Sequence, residues 1–432
     1  MSKTLAYLSG FGNELESEMI AGALPVGRNS PQKANFGLYV EQLSGSPFVA
    51  PRHLNRRSWL YKQLPTASHG AFAEVPLDDF MSESVSPVDG NRIRLQRQPD
   101  ELNLAAFPVG VMTLAVTGSC AARSGGAVHA YALARDADAP VFSNADAEML
   151  WIPTTSALRI HTEFGLLIIA PGELALIPRG VKFLAQPQDD AQARGYVIEN
   201  YGQPFQLPDL GPIGANGLAA ARDFLHPVAR VDPRPGAVRW VNKFGGRFWE
   251  TELPATPLDV VAWRGNYLPC KYDLSRFMVI NTVSFDHADP SIFTVLTSAG
   301  GAAGCPNLEI AIFPPRWQVA NDTFRPPWFH RNVMSEAMGL VLGRYEVRSE
   351  GFQPGGLAIH NCMMGHGPDA ASWTAASTRE LKPEYLSGTM AFVLESAVPF
   401  VATSKALGSA ARQAGYEGAW SGFKRATLPE SP

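Results

Sequence analysis

Residues 158–183 read L-R-I-H-T-E-F-G-L-L-I-I-A-P-G-E-L-A-L-I-P-R-G-V-K-F, and this stretch decides the fold. Leu158 to Thr162 alternates with period two, the pattern of a strand with one buried face. Leu166 to Ala170 is an apolar run of buried-strand length. Gly172 and the Pro178-Arg179-Gly180 group punctuate the segment as turns. The same texture holds over 104–200, and strand-like runs return at Leu308 to Phe313, Gly339 to Val347 and Met390 to Val401. Thirty-five prolines and thirty-nine glycines, spread throughout, favour many short strands and turns over long helices. The expected class is mainly β.

At 432 residues the chain has the size of two or three domains and can bury large cores. Its 46% hydrophobic and 18% charged residues are those of an ordinary globular protein. A net charge of −4 gives no footing for nucleic acid or an anionic membrane as partner. Cys120, Cys270, Cys305 and Cys362 form no C-x-x-C pair, which fits reduced thiols rather than a disulfide framework or a zinc knuckle. The N-terminal M-S-K-T-L-A-Y-L lacks the apolar core of a signal peptide, and no apolar run is long enough to span a membrane. A cytoplasmic location is expected.

Chemistry concentrates between Trp328 and Asp369, where W-F-H-R-N-V-M-S-E is followed by P-G-G-L-A-I-H-N-C-M-M-G-H-G-P-D. Two histidines and one carboxylate make the facial set that holds Fe(II) in non-haem oxygenases and leaves positions open for substrate and O2. His330 and Glu336 supply one of each. On a helix they would point about 120° apart, and Pro326 and Pro327 oppose a helix beginning before His330. On a straight strand they would lie roughly 20 Å apart. Shared ligation therefore requires a turn between Asn332 and Ser335. His360 and His366 compete for the third position, each after a Gly-rich turn, and the residues alone do not choose between them. Cys362, lying between those two, reads as a neighbour. With nine histidines and forty carboxylates in the chain, a His and a Glu six apart also arise by chance.

Elsewhere the residues carry plainer readings. Arg52, Arg56 and Arg57 among Phe48, Trp59 and Tyr61 suit an anion site, a subunit contact or a solvated strand edge. His129 and His161 read as structural. Segment 217–229 opens with helix formers and ends near Pro227, so a short helix with His226 at its end is expected. His287 stands between Asp286 and Asp289, where a carboxylate partner would fix its tautomer and raise its basicity; an exposed turn histidine is the alternative. The tail 403–425 is expected to be helical in part and offers no chemistry.

Two short motifs resemble the cupins. Gly172 to Phe183 is similar to the second cupin motif with phenylalanine at the metal-histidine position, and an apolar ring cannot ligate an ion. His330-x-Asn332-x-x-x-Glu336 resembles the first, with Asn332 at its second histidine. The resemblance implies a bicupin-type, jelly-roll or β-sandwich architecture. With the domain change placed near 275–285, before the turn at Ser284 to Pro290, the expected halves are a degenerate, metal-free barrel over 1–280 and a catalytic, metal-binding half over 281–432.

Longer stretches resemble the homogentisate 1,2-dioxygenase family: Y-L-S-G-F-G-N-E from Tyr7, S-P-F-V-A-P-R-H-L-N-R-R-S-W-L-Y from Ser46, S-F-D-H-A-D-P-S-I-F-T-V-L-T from Ser284, F-R-P-P-W-F-H-R-N-V-M-S-E from Phe324 and G-H-G-P-D from Gly365. They span nearly the whole chain. The resemblance implies Fe(II) on His330, Glu336 and His366, with His360 nearby, either behind the metal ligands or with His366 in the substrate pocket. It implies His287 as the catalytic histidine and Tyr345 as a substrate contact. The implied reaction is the ring opening of homogentisate (2,5-dihydroxyphenylacetate) by O2 to 4-maleylacetoacetate in tyrosine and phenylalanine breakdown, by a homohexamer built as a dimer of trimers. The alternatives are a gentisate-type hydroquinone dioxygenase and a non-catalytic cupin binding protein.

Overall fold

The computed structural model describes residues 5–84, 86–189, 192–345 and 351–429. A nine-stranded sheet forms its middle layer, with Cys270–Asp273, Glu173–Ile177, Glu148–Pro153, Ala193–Asn200, Ser124–Leu133 and Val111–Ser119 side by side at its centre. Glu148–Pro153 is buried at every position because this sheet is covered on both faces. Met149 and Trp151 point into one core with Phe142, Leu158, Ile160 and Phe183 of a seven-stranded sheet. Leu150 and Ile152 point into another with Ile310, Ala337, Leu357 and Phe392 of a second seven-stranded sheet. Each large apolar side chain buried in these cores contributes roughly 1.5–3 kcal/mol. The protein is a mainly β, cupin-like sandwich.

The turn read at 178–180 forms as expected. Gly180 takes φ +84°, and its N–H donates to Asn144 O at 2.8 Å. Phe183 then sits against Phe142, Phe107 and Trp151, with ring centroids 5.6, 5.7 and 5.9 Å away. Near this core the Lys243 ammonium lies fully buried against both oxygens of Glu199. His129 approaches the same carboxylate at 3.4 Å and bonds Thr113 Oγ1 at 2.9 Å.

The second seven-stranded sheet positions the candidate site. Its order is Phe205–Gln206, Thr294–Ser298, Leu308–Phe313, Met390–Ser396, Ser335–Leu342, Leu357–His360 and Ile93–Leu95. Both edge strands thus come from the first half of the chain. Antiparallel register sets Glu309 opposite Glu395, Glu395 opposite Glu336, and Glu336 opposite His360. Because side chains alternate along a strand, these four share one face. Ala337, Val341, Leu357 and Ile359 share the other, which packs on the middle sheet. Tyr196 ties the layers together, its hydroxyl donating to Gly356 O at 2.6 Å.

Several sequence expectations are corrected. The strand expected over Gly339 to Val347 runs instead over Ser335–Leu342 and stops at Gly343, whose φ is +70° and whose added Cβ would stand 1.8 Å from Gly388 O. Residues 346 and 347 lie outside the described residues. The run at Met390 to Val401 divides into Met390–Ser396 and Phe400–Ala402. Segment 217–229 forms no α-helix: a 3-10 turn, Ala221–Asp223, leads into the strand Phe224–Pro227. Pairing with both Tyr7–Ser9 and Cys270–Asp273 overrides the local helix preference. His226 accordingly lies buried in a strand, its ring nitrogens on Pro269 O and Gly10 O. In the arginine cluster, Arg57 opens the strand Arg57–Lys62 and approaches Glu14 at 3.7 Å.

Candidate metal centre

His330 is held by a two-residue bridge to His366, with N–H···O bonds of 3.0 and 3.1 Å in the two directions. After the bridge the chain bends at Val333 and Met334 and enters the strand that starts at Ser335. This is the turn that joint ligation demands. Asn332 shapes it: its Oδ1 accepts from Met334 N at 3.1 Å, and its Nδ2 donates to Glu395 Oε2 at 3.4 Å. The Ser335 hydroxyl accepts from Cys362 N at 3.0 Å, which ties the returning loop to the strand start.

As a result His330, Glu336 and His366 present one ligand atom each within 4.8 Å of one another. His366 Nε2 stands 3.0 Å from Glu336 Oε2, and His330 Nε2 stands 3.7 Å from Oε1. The outward nitrogens are committed. His330 Nδ1 bonds Trp328 O at 2.8 Å, and His366 Nδ1 bonds Met364 O at 2.9 Å. A carbonyl only accepts, so each Nδ1 carries the proton and Nε2 is left to face a cation. Two neutral imidazoles and one carboxylate so arranged fit a divalent transition metal with open positions.

Electrostatics agree with that fit. Burial alone would raise the Glu336 pKa, but hydrogen bonds from His330 and His366, joined by their charge whenever the rings are protonated, outweigh it and hold the carboxyl far below the usual range. The close approach of Glu336 raises the pKa of His330. Next along the row, burial and then the charges of Glu336 and Glu309 push Glu395 up to about 7. Burial likewise raises Glu309, whose carboxylate takes the Thr294 hydroxyl. Of the three adjacent glutamates, only Glu336 has its carboxyl pKa lowered.

His360 shares the sheet face with Glu336 but turns its Nε2 to the Tyr416 hydroxyl at 3.3 Å, while its ring stacks on His366 at 4.3 Å between centroids. Tyr345 is half-buried, 6.5 Å from the Phe313 ring, against the Leu340, Phe352, Ala358 and Ala391 cluster on the Glu336 side of the sheet. His287 departs from expectation. Its Nε2 bonds Phe324 O at 2.5 Å, while Asp289 caps Ser291 N at 2.9 Å instead of bonding the ring. Its ring lies 5.7 Å from that of Trp328, whose carbonyl holds His330. Cys362 is exposed and stands outside the trio.

Sequence reasoning missed Glu395, the shaping role of Asn332, and Tyr416. For Glu395 a signal existed: a charged residue in phase with Ala391 and Val393 of a buried strand. Tyr416 gave none, since it lies 56 residues from His360 in the chain.

Among solved structures, the chain is similar to a mutant of Bacillus subtilis oxalate decarboxylase OxdC at 13% identity, covering 79% of this chain and 90% of that one with a TM-score of 0.32. A cupin 2 conserved barrel domain protein from Leptotrichia buccalis is 9% identical over 66% of this chain and 88% of its own, with a TM-score of 0.29. AerE from Microcystis aeruginosa is 8% identical over 70% and 97%, also at 0.29. Assignment rests instead on two family models. Homogentisate 1,2-dioxygenase N-terminal matches residues 6–274, and homogentisate 1,2-dioxygenase C-terminal matches residues 275–427. With all but its extreme ends matched, the chain belongs to the homogentisate 1,2-dioxygenase family.

Proposed function

We propose that this protein opens the ring of homogentisate with O2 to give 4-maleylacetoacetate, using Fe(II) held by His330, Glu336 and His366. The observation that carries the reading is the convergence of two histidine Nε2 atoms and one carboxylate inside the C-terminal segment matched to the family. In the reaction the ring bond between the hydroxyl-bearing carbon and the carbon carrying the acetate arm breaks. One atom of O2 goes to each new end, as a carboxyl oxygen and a ketone oxygen, and no outside electrons are needed. Fe(II) would supply the electron path between ring and O2 and bring the two together.

The chain's own residues do the rest. With its Nε2–H committed to Phe324 O, His287 offers Nδ1 as the basic nitrogen that takes a phenolic proton. Exposed Trp328, Phe329, Val333 and Met363 give an apolar rim beside His330 and His366, suited to an aromatic ring. Tyr345 and His360, on the Glu336 side of the sheet, are assigned to substrate contact, where a hydroxyl and an imidazole suit a phenol or a carboxylate. A homohexamer is the assembly that accompanies this reading, and native mass measurement tests it.

Metal-stripped protein reloaded anaerobically with Fe(II) or Mn(II), then given O2 and either homogentisate or gentisate, tests the reaction. Yellow ring-opened product from homogentisate with Fe(II) supports it. Turnover of gentisate alone would move the assignment to another hydroquinone dioxygenase. Failure to bind any metal would favour a binding protein.

A further inference from the structure

Residues 411–420 lie beside the candidate metal centre. Residues 411–413 dock on the edge strand Ile93–Leu95: Gln96 N donates to Ala411 O and Gln413 N to Arg94 O, both at 2.8 Å. This docking delivers the 3-10 turn Tyr416–Trp420 to the site. Tyr416 is buried at 3% exposure, and its hydroxyl lies 3.3 Å from His360 Nε2. The His360 ring lies nearly parallel to that of His366, 19° apart in plane. Tyr416 is itself clamped between the Trp420 ring at 5.2 Å and the Arg94 guanidinium at 5.4 Å. A second tie runs beside the first. Arg92 stacks 3.8 Å over Trp420, pairs with Glu417, and donates to the carbonyl of Gly365, the residue before His366, at 3.3 Å.

We propose that Tyr416 is a positioning residue of the metal centre: its hydroxyl fixes the His360 ring and, through the stacked rings, the setting of His366. A ring that faces a metal ligand must be held in plane as firmly as the ligand itself. Both the clamp on Tyr416 and the Arg92 tie to Gly365 serve that end. The inference rests on the dioxygenase reading for its kinetic readout and on metal binding alone for its spectroscopic one.

The full-length chain is compared as parent, Tyr416→Phe, His360→Ala and the double variant. Tyr416→Phe keeps the ring and its packing and removes only the hydroxyl. In the Fe(II)-loaded protein, kcat/KM for homogentisate is expected to fall about tenfold in Tyr416→Phe, chiefly through kcat. In the His360→Ala background the same change is expected to cost nothing more, because the two residues act as one unit. Loaded with Co(II), Tyr416→Phe is expected to keep one ion per chain and shift the visible ligand-field bands. Parental kcat, losses that multiply in the double variant, or an unshifted Co(II) spectrum would overturn the proposal. If the parent itself fails to turn over homogentisate, the dioxygenase reading falls, and the Co(II) spectrum alone then decides the role of Tyr416.

Discussion

Glu336 faces His360 directly across the ladder between Ser335–Leu342 and Leu357–His360, yet it is His366 whose Nε2 comes to 3.0 Å from the Glu336 carboxylate. The loop after His360 folds back so that His366 bridges to His330. His360 keeps its place on the sheet face, with Nε2 on Tyr416. Register sets one histidine beside the centre, and the loop brings the other into it.

Metal binding should separate the two rings. His366→Ala is expected to lower divalent-metal affinity by more than about 100-fold, since one of three ligands is gone. His360→Ala should hold affinity within about threefold and lower turnover to a reduced but measurable rate instead. Anaerobic calorimetric titration reads both, and the reverse pattern would exchange their roles.

The bend between His330 and Glu336 depends on Asn332, which bonds Met334 N and Glu395. Asn332→Ala should weaken metal binding about tenfold while costing only about 1 kcal/mol of stability, the worth of a typical hydrogen bond. Unchanged affinity in equilibrium titration would show that the bend holds without this side chain.

How much of this was legible in the chain differs from residue to residue. The turn between His330 and Glu336 follows from ligand geometry alone, because neither a helix nor a straight strand lets both reach one ion. The strand texture around Leu158 to Phe183 is equally direct, since period-two alternation has few other causes. Choosing between His360 and His366 is not legible from local pattern, because it depends on the pairing of Leu357–His360 with two other strands. His226 misleads for the same reason: helix-favouring neighbours lose to long-range strand pairing. The Phe324 carbonyl on His287 lies 37 residues away, beyond what the flanking aspartates could suggest.

Far from the centre, the buried Lys243–Glu199 pair tests the first core. Burial would raise the Glu199 pKa, but Lys243 and His129 outweigh it and keep the carboxylate charged. Lys243→Met leaves that charge unpaired and should cost about 3–5 kcal/mol in chemical denaturation, with metal affinity unchanged. Adding Glu199→Gln should recover much of the loss. A neutral single variant would mean the pair contributes nothing.

Glu148 provides a pH test away from the metal. Burial pushes its carboxyl from 4.5 up to about 7, against hydrogen bonds from Phe205 N and Asn200. The native state therefore holds this proton to higher pH than the unfolded chain does. Its contribution to stability falls as pH rises from about 4.5 to about 7 and is fully lost above that window. Glu148→Gln should stabilise the protein by on the order of 1–3 kcal/mol near pH 8 and make little difference near pH 5. A gain that does not vary with pH would contradict the shift.

Labelled oxygen tests the central claim most directly. The Fe(II)-loaded protein is mixed with homogentisate and 18O2 in a single turnover, then quenched before the ketone exchanges with water. Ring opening by a dioxygenase places both labelled atoms in the product, one in the new carboxyl and one in the new ketone. Product without label, with hydrogen peroxide released and the ring left intact as a quinone, would contradict it.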